Sequence, residues 1–229
     1  MTDSGPIEHQ TLAERTYHRL RHEMESGALP QGSRLDEQAL CDRLGVSRTP
    51  LRQAIERLVH DGLVQRAPYK GTFVRSLHPE EVENLYVARS TLEQLAVRLA
   101  VQRASDDEIA KIRDIALECQ SAVARGDVQR LNTADQLFHG AIVEASHNDV
   151  LSGLLAGLRR QVHAVRSYAN EDVRVAKRTV DERVTICEPV KARNAELAAQ
   201  LLGAHIDGVR DSVRAELRAT TAAHKELSS

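Results

Sequence analysis

Two groups of residues in this chain have types and spacings suited to chemistry. Arg48, Thr49 and Arg52 follow Ser47 at the start of a segment whose apolar positions Leu51, Ile55, Leu58 and Val59 recur at helical spacing. With that stripe turned inward, the two arginines and the threonine stand on the exposed first turns of a helix. Arginine matches the O6/N7 edge of guanine through a two-pronged donor pair, while Ser47, Thr49 and the free N–H groups of a helix start suit phosphates. Farther on, Asp135 and His139 are four residues apart and share one helical face beside Leu131, Phe138 and Ile142. Carboxylate and imidazole at that spacing begin a divalent-metal site, and equally make an ordinary surface pair worth a few tenths of a kcal/mol.

The first group needs a frame, and the flanking sequence supplies one. A helix is expected over 11–26, stopped by Gly27, and Leu29-Pro30-Gln31-Gly32 is a turn. A short helix over about 36–44 ends at Gly45, and Ser47 is placed to cap the next. Helix, tight glycine turn and helix make a helix-turn-helix. Gly62 ends the third helix, and two short apolar stretches then flank Pro68-Tyr69-Lys70-Gly71 as a β-hairpin, a wing. Residues 43–75 carry seven basic side chains against two acidic ones, in a chain whose net charge is −2. Such a local excess suits a polyanion, although alone it could equally be a solvated face. Arg34, Lys70 and the backbone N–H of Gly71 are placed to add phosphate or minor-groove contacts.

From Pro79 onward helical periodicity runs almost to the end. Helices are expected at 79–103, 105–126, 127–146, 148–169, 179–192 and 194–220, with 171–178 charged and irregular. Ser105 with Glu108 forms a capping box, and Pro189 should kink or shorten the fifth of these helices. The expected architecture is mostly α: a winged helix-turn-helix over 10–76, then an all-α antiparallel bundle over 79–222. Bundles build ligand sites from side chains on facing helices. Composition agrees, with 41% hydrophobic, 28% charged and only 3% aromatic residues. No apolar run approaches the roughly 20 residues of a membrane span, and the N-terminus lacks the apolar stretch of a secretory signal. Cys41, Cys119 and Cys187 are odd in number and scattered, as expected of reduced thiols in a cytoplasmic protein.

The string GALPQGSRLDEQALCDRLGVSRTPLRQAIERLVHDGLVQRAPYKGTFV resembles the winged helix of the GntR family of bacterial regulators. That resemblance implies DNA contacts at Arg34, Ser47, Arg48, Thr49, Arg52, Lys70 and Gly71. The helical segment, with RSTLEQLAVRLA early, DQLFH in the middle and AHI near the end, is similar to the FCD effector domain of FadR-like members. In such domains an Asp-x-x-x-His pair and two later histidines hold a metal beside a small carboxylate effector. The resemblance therefore implies metal ligation by Asp135, His139 and His205. The remaining ligand falls at Arg183, where arginine stands in place of histidine. A guanidinium cannot ligate a cation. Either a three-ligand site for a divalent metal such as zinc survives, with Arg183 turned to an anionic effector, or the metal is lost. In the second case Arg183 pairs with Asp135 or grips a carboxylate directly. Arg89, on the first bundle helix, is a further candidate for the effector pocket, or else a satisfied core arginine. His147 and His163 lie near the pocket helices and are either alternative ligands or ordinary partly buried or surface histidines.

The function expected from this reading is a homodimeric, non-enzymatic transcriptional regulator that binds a palindromic double-stranded operator and releases it, as a repressor, when a small carboxylate metabolite enters the bundle. Two other readings stand beside it: a constitutive DNA-binding protein with a structural bundle, and a metal-dependent hydrolase with a DNA-binding appendage.

Overall fold

The computed structural model describes residues 10–76, 78–168 and 173–227, which divide into two compact units, 1–77 and 78–229. In the first unit, α1 (Leu12–Glu25) opens with a capping box in which Thr11 and Glu14 satisfy each other's backbone N–H. Helix α2 (Glu37–Leu44) is capped by Asp36, whose carboxylate accepts from the N–H groups of Gln38 and Ala39. It ends at Gly45, whose φ of 64° is left-handed and turns the chain at once into α3 (Arg48–His60). Ser47 occupies the N-cap position of α3, but its hydroxyl makes no capping hydrogen bond. Leu51, Ala54, Ile55 and Leu58 of α3 bury against Tyr17, Leu20 and Met24 of α1. Strands β1 (Val64–Ala67) and β2 (Gly71–Val74) pair antiparallel, Val64 opposite Val74 and Ala67 opposite Gly71.

The second unit is helical throughout its described residues: α4 (Pro79–Arg103), α5 (Asp106–Arg125), α6 (Val128–Ala145), α7 (Asp149–Tyr168), α8 (Val173–Lys191) and α9 (Ala195–Leu227). Caps sit where the sequence places them: Pro79 in the first turn of α4, the Ser105–Glu108 box before α5, Asp127 before α6, Asn194 before α9. Helix α4 packs most extensively on α9, α5 on α6 and α8, and α8 on α9, so α4, α6, α8 and α9 enclose a common centre.

Two of the expected helix bounds need correction, the start of α8 and the end of α9. The stretch 173–178 is not irregular but forms the first turns of α8, because Ala176, Thr179 and Val180 bury one face while Lys177, Arg178 and Asp181 face solvent. Residues 171 and 172 lie outside the described residues. Pro189 sits within the last turn of α8, where its missing N–H forfeits only one bond before the helix ends at Lys191. The last helix also runs past 220, to Leu227.

Candidate functional site

On the first unit the expected DNA-facing residues are exposed, except Gly71, which is partly buried. Arg48, Thr49 and Arg52 are exposed on the opening turns of α3, with Ser47 exposed just before them. Helix α2 braces both arginines: Gln38 Oε1 accepts from Arg48 Nη2 at 2.7 Å, and Glu37 Oε2 accepts from Arg52 Nε at 2.9 Å. These braces were missed in the sequence, although α2 and α3 must cross closely around Gly45. Arg34 pairs with Phe73 at the root of the wing, and its guanidinium lies over Gly71. A Cβ at Gly71 would stand 3.1 Å from Arg34 Nε, and the residue's φ of 111° suits glycine alone, so the wing and Arg34 are fitted to each other. At the wing tip Tyr69 is fully exposed with φ at 61°, beside exposed Lys70. A free aromatic in that position is a further candidate contact that charge arithmetic could not reveal.

In the second unit the residues expected to form a ligand site converge at the bundle centre, and four helices supply them. Asp135 and His139 come from α6, Arg183 from α8, His205 from α9, and Arg89 from α4, each at most 5% exposed. A residue not singled out in the sequence, Glu93 of α4, is the hub. Its carboxylate is 1% exposed and accepts from Arg89 Nε at 2.7 Å and from His139 Nδ1 at 2.6 Å. The signal was present: Val82, Tyr86, Arg89, Glu93, Ala96 and Ala100 repeat at alternating steps of three and four, the spacing of an inward seam. Burial pushes the Glu93 carboxyl up, but Arg89 and His139 outweigh burial and hold it at about 2. Arg89 is thus committed to Glu93 and supports His139.

The histidines stack, with ring centroids 5.6 Å apart and planes inclined by 24°. His205 Nδ1 donates to Glu182 Oε2 at 2.8 Å. Burial lowers the pKa of both rings against the pull of their carboxylates, that of His205 to about 4, so both are neutral at pH 7. With Nδ1 of each ring engaged by a carboxylate, Nε2 carries the lone pair, and in His139 it lies 3.8 Å from Asp135 Oδ1.

Carboxylate-oriented imidazoles of this kind commonly ligate metals. Here, however, the donor set does not fit a divalent cation. Arg183 donates through Nη2 to Asp135 Oδ1, placing a permanent positive charge, 1% exposed, on the one carboxylate a cation would need. Among the described residues no three His, Cys, Asp or Glu side chains converge as a metal-holding group. Of the two arrangements the sequence leaves open, the structure shows Arg183 paired with Asp135, the residue that would ligate a metal together with His139 and His205. Nε and Nη1 of Arg183 are buried with no hydrogen-bond partner among the described residues, and a buried donor left unmet costs about 1–3 kcal/mol. A cleft of about 590 Å³ between α8 and α9 reaches this cluster, since Glu182 and His205 line both; Lys177 and Arg178 stand on its walls.

The remaining candidates lie elsewhere. His147 is half exposed and pairs with Glu108 at 3.2 Å, so it does not join the cluster. The side chain of His163 lies outside the described residues. Cys119 and Cys187 are buried, their thiols pushed up to about 11 and about 12 by burial, and so are not nucleophiles. No described helix is long and apolar enough to cross a membrane.

Residues 84–208 match the model of the FCD domain, and residues 12–74 that of the bacterial regulatory proteins of the gntR family. The chain belongs to the FCD-containing GntR regulators. It is 32% identical to the uncharacterised HTH-type transcriptional regulator YdhC of Bacillus subtilis, over 83% of this chain and 86% of that one. It is 33% identical to the Nta operon transcriptional regulator of Aminobacter aminovorans, over 80% and 85% of the two chains. Among solved structures, a GntR regulator from Rhodococcus sp. RHA1 superposes with a TM-score of 0.64 at 25% identity, covering 88% of this chain and 96% of that one. GntR regulators act on transcription through their helix-turn-helix and are not enzymes, which removes the hydrolase reading.

Proposed function

We propose that this GntR regulator is a cytoplasmic homodimeric repressor that binds a palindromic operator and releases it when a small carboxylate metabolite occupies the centre of its FCD bundle. The observation that carries the reading is the pairing, on one chain, of an exposed arginine-bearing recognition helix with a buried charged cluster that a cleft reaches. In this reading Arg48 and Arg52 read base edges, Arg34, Ser47, Thr49, Lys70 and Gly71 hold phosphates or the minor groove, and Tyr69 lies along the sugar edge.

A second copy as partner is supported by apolar side chains left exposed on two neighbouring helices. Val87 and Leu95 of α4 are 49% and 44% exposed, and Val150 and Leu154 of α7 are 76% and 57% exposed. Two-fold proteins match two-fold sites. An effector alters operator affinity only by binding the DNA-competent and DNA-incompetent arrangements unequally.

Selection from random duplex DNA, followed by anisotropy titration of the selected site, tests the first half. The expected consensus is palindromic, and Arg48→Ala or Arg52→Ala each costs about 1–3 kcal/mol of specific binding while helicity is unchanged. Full affinity in both variants would show that α3 does not read the operator.

A further inference from the structure

The position that should carry a metal ligand in this FCD domain holds a cation of its own. Four observations bear on what that cation does. Arg183 is 1% exposed, so its charge has no access to bulk water. It engages Asp135 through Nη2 alone, leaving Nε and Nη1 buried and unpartnered among the described residues. The neighbouring imidazoles are held by Glu93 and Glu182 through Nδ1, so their Nε2 atoms are acceptors and do not compete with Arg183 as donors. The α8/α9 cleft meets the cluster at Glu182 and His205, and its walls carry Lys177 and Arg178 balanced by Asp181 and Glu182, so the cleft gives a route to the cluster and the unmet donors of Arg183 supply the selectivity for an anion.

We propose that Arg183 is a built-in replacement for the metal of this site, and that one of its unpartnered donors, Nε–H or Nη1–H, receives the carboxylate of the effector directly. Nε–H and Nη1–H lie on different edges of the planar guanidinium, each edge completed by Nη2, so a carboxylate satisfies one of the two unmet donors. A spherical divalent cation finds the opposite: a fixed positive charge already paired with Asp135, and His139 and His205 alone to receive it. The effector is then bound without metal, and the regulator responds to it in the presence of a chelator. This rests on the proposal that the cluster is the effector site.

The test uses the full chain, tag-free, with two probes. Zinc is added to the wild type and to Arg183→His, excess is removed by desalting, and bound zinc is measured per chain. Wild type should retain none. Arg183→His, which brings a third imidazole beside Asp135, His139 and His205, should retain one zinc per chain and lose it to EDTA. Stoichiometric zinc on the wild type, lost on His139→Ala, overturns the proposal; so does a folded Arg183→His that takes up no zinc. If Arg183→His does not fold, the second probe decides. Acetate, lactate and citrate are each tested for a rise in wild-type melting temperature in EDTA, with sulfate as the ionic control. At least one carboxylate should raise it beyond sulfate, Arg183→Lys should lose most of the rise, and Arg183→Met all of it. No carboxylate effect beyond sulfate, or an equal effect in Arg183→Met, overturns the anion site. Should both probes give the expected results while no carboxylate alters operator affinity, the site chemistry stands and it is the regulatory reading that fails.

Discussion

Replacing Arg183 with methionine removes the cation that Asp135 holds at the centre of the bundle while keeping a side chain of comparable reach. Both partners are buried, Arg183 at 1% and Asp135 at 4% exposure, so solvent cannot screen what is left. Removing one member of a buried ion pair typically costs about 3–5 kcal/mol, because a carboxylate must stay in low dielectric lacking that cation. Against a typical domain stability of about 5–15 kcal/mol, this is a large fraction. For a unit of this size each kcal/mol moves the melting temperature by about 2–4 °C, so a fall of about 6–20 °C is expected. Asp135→Asn should be similarly costly, since it strands a guanidinium whose Nε and Nη1 already lack partners among the described residues. The double variant removes both charges and should be no less stable than either single one, a coupling of about 3 kcal/mol or more. Calorimetry suits the measurement because the chain has no tryptophan and its two compact units can melt separately. Losses that simply add, or an Arg183→Met protein as stable as wild type, would show that the pair does not hold the core as described.

Other consequences are equally open to measurement. Gly71→Ala forces a side chain onto a backbone at φ 111° and into Arg34, so strain of about 1–3 kcal/mol should lower winged-helix stability and operator affinity together; unchanged affinity would separate Gly71 and Arg34 from the DNA surface. Acid should destabilise the bundle early. His205 resists protonation down to about pH 4 in the folded chain but takes a proton near 6.5 when unfolded. Stability is therefore retained above 6.5 and falls by about 1.4 kcal/mol per pH unit below it, or about 2 kcal/mol by pH 5. His139 shifts in the same direction and steepens the fall, and Glu93, held at about 2, extends it below 4.5. Urea midpoints from pH 7 to 5 check this; a flat profile, or one that His205→Gln leaves unchanged, contradicts the neutral buried imidazole.

Much of this molecule was legible where local chemistry decides the outcome. Gly45 between two short amphipathic segments leaves the chain one way to turn, and the Ser105–Glu108, Asp127 and Asn194 caps mark helix starts that tertiary packing did not override. What failed did so for identifiable reasons. The charges of 173–178 suggest a loop only if all faces count equally, yet a surface helix needs just one apolar stripe, and Ala176, Thr179 and Val180 supply it. Ser47 holds the N-cap position without using its hydroxyl, which residue type alone cannot foretell. Glu93 was hidden because a buried carboxylate is rare unless paired, and its partners lie four and 46 residues away. The Arg183–Asp135 pair spans 48 residues, so spacing could raise the choice between metal and ion pair but not make it.

The most direct test joins the two units. Operator selected in vitro is titrated with wild-type and Arg183→Met protein, with EDTA throughout, in the presence and absence of a low-molecular-weight extract of the source cells. Wild type should lose operator affinity with the extract and regain it after dialysis, while Arg183→Met, so long as it stays folded, should bind the operator equally with and without it. An equal response from both proteins, or a wild-type response that appears only when EDTA is omitted, would contradict a metal-independent sensor anchored at Arg183.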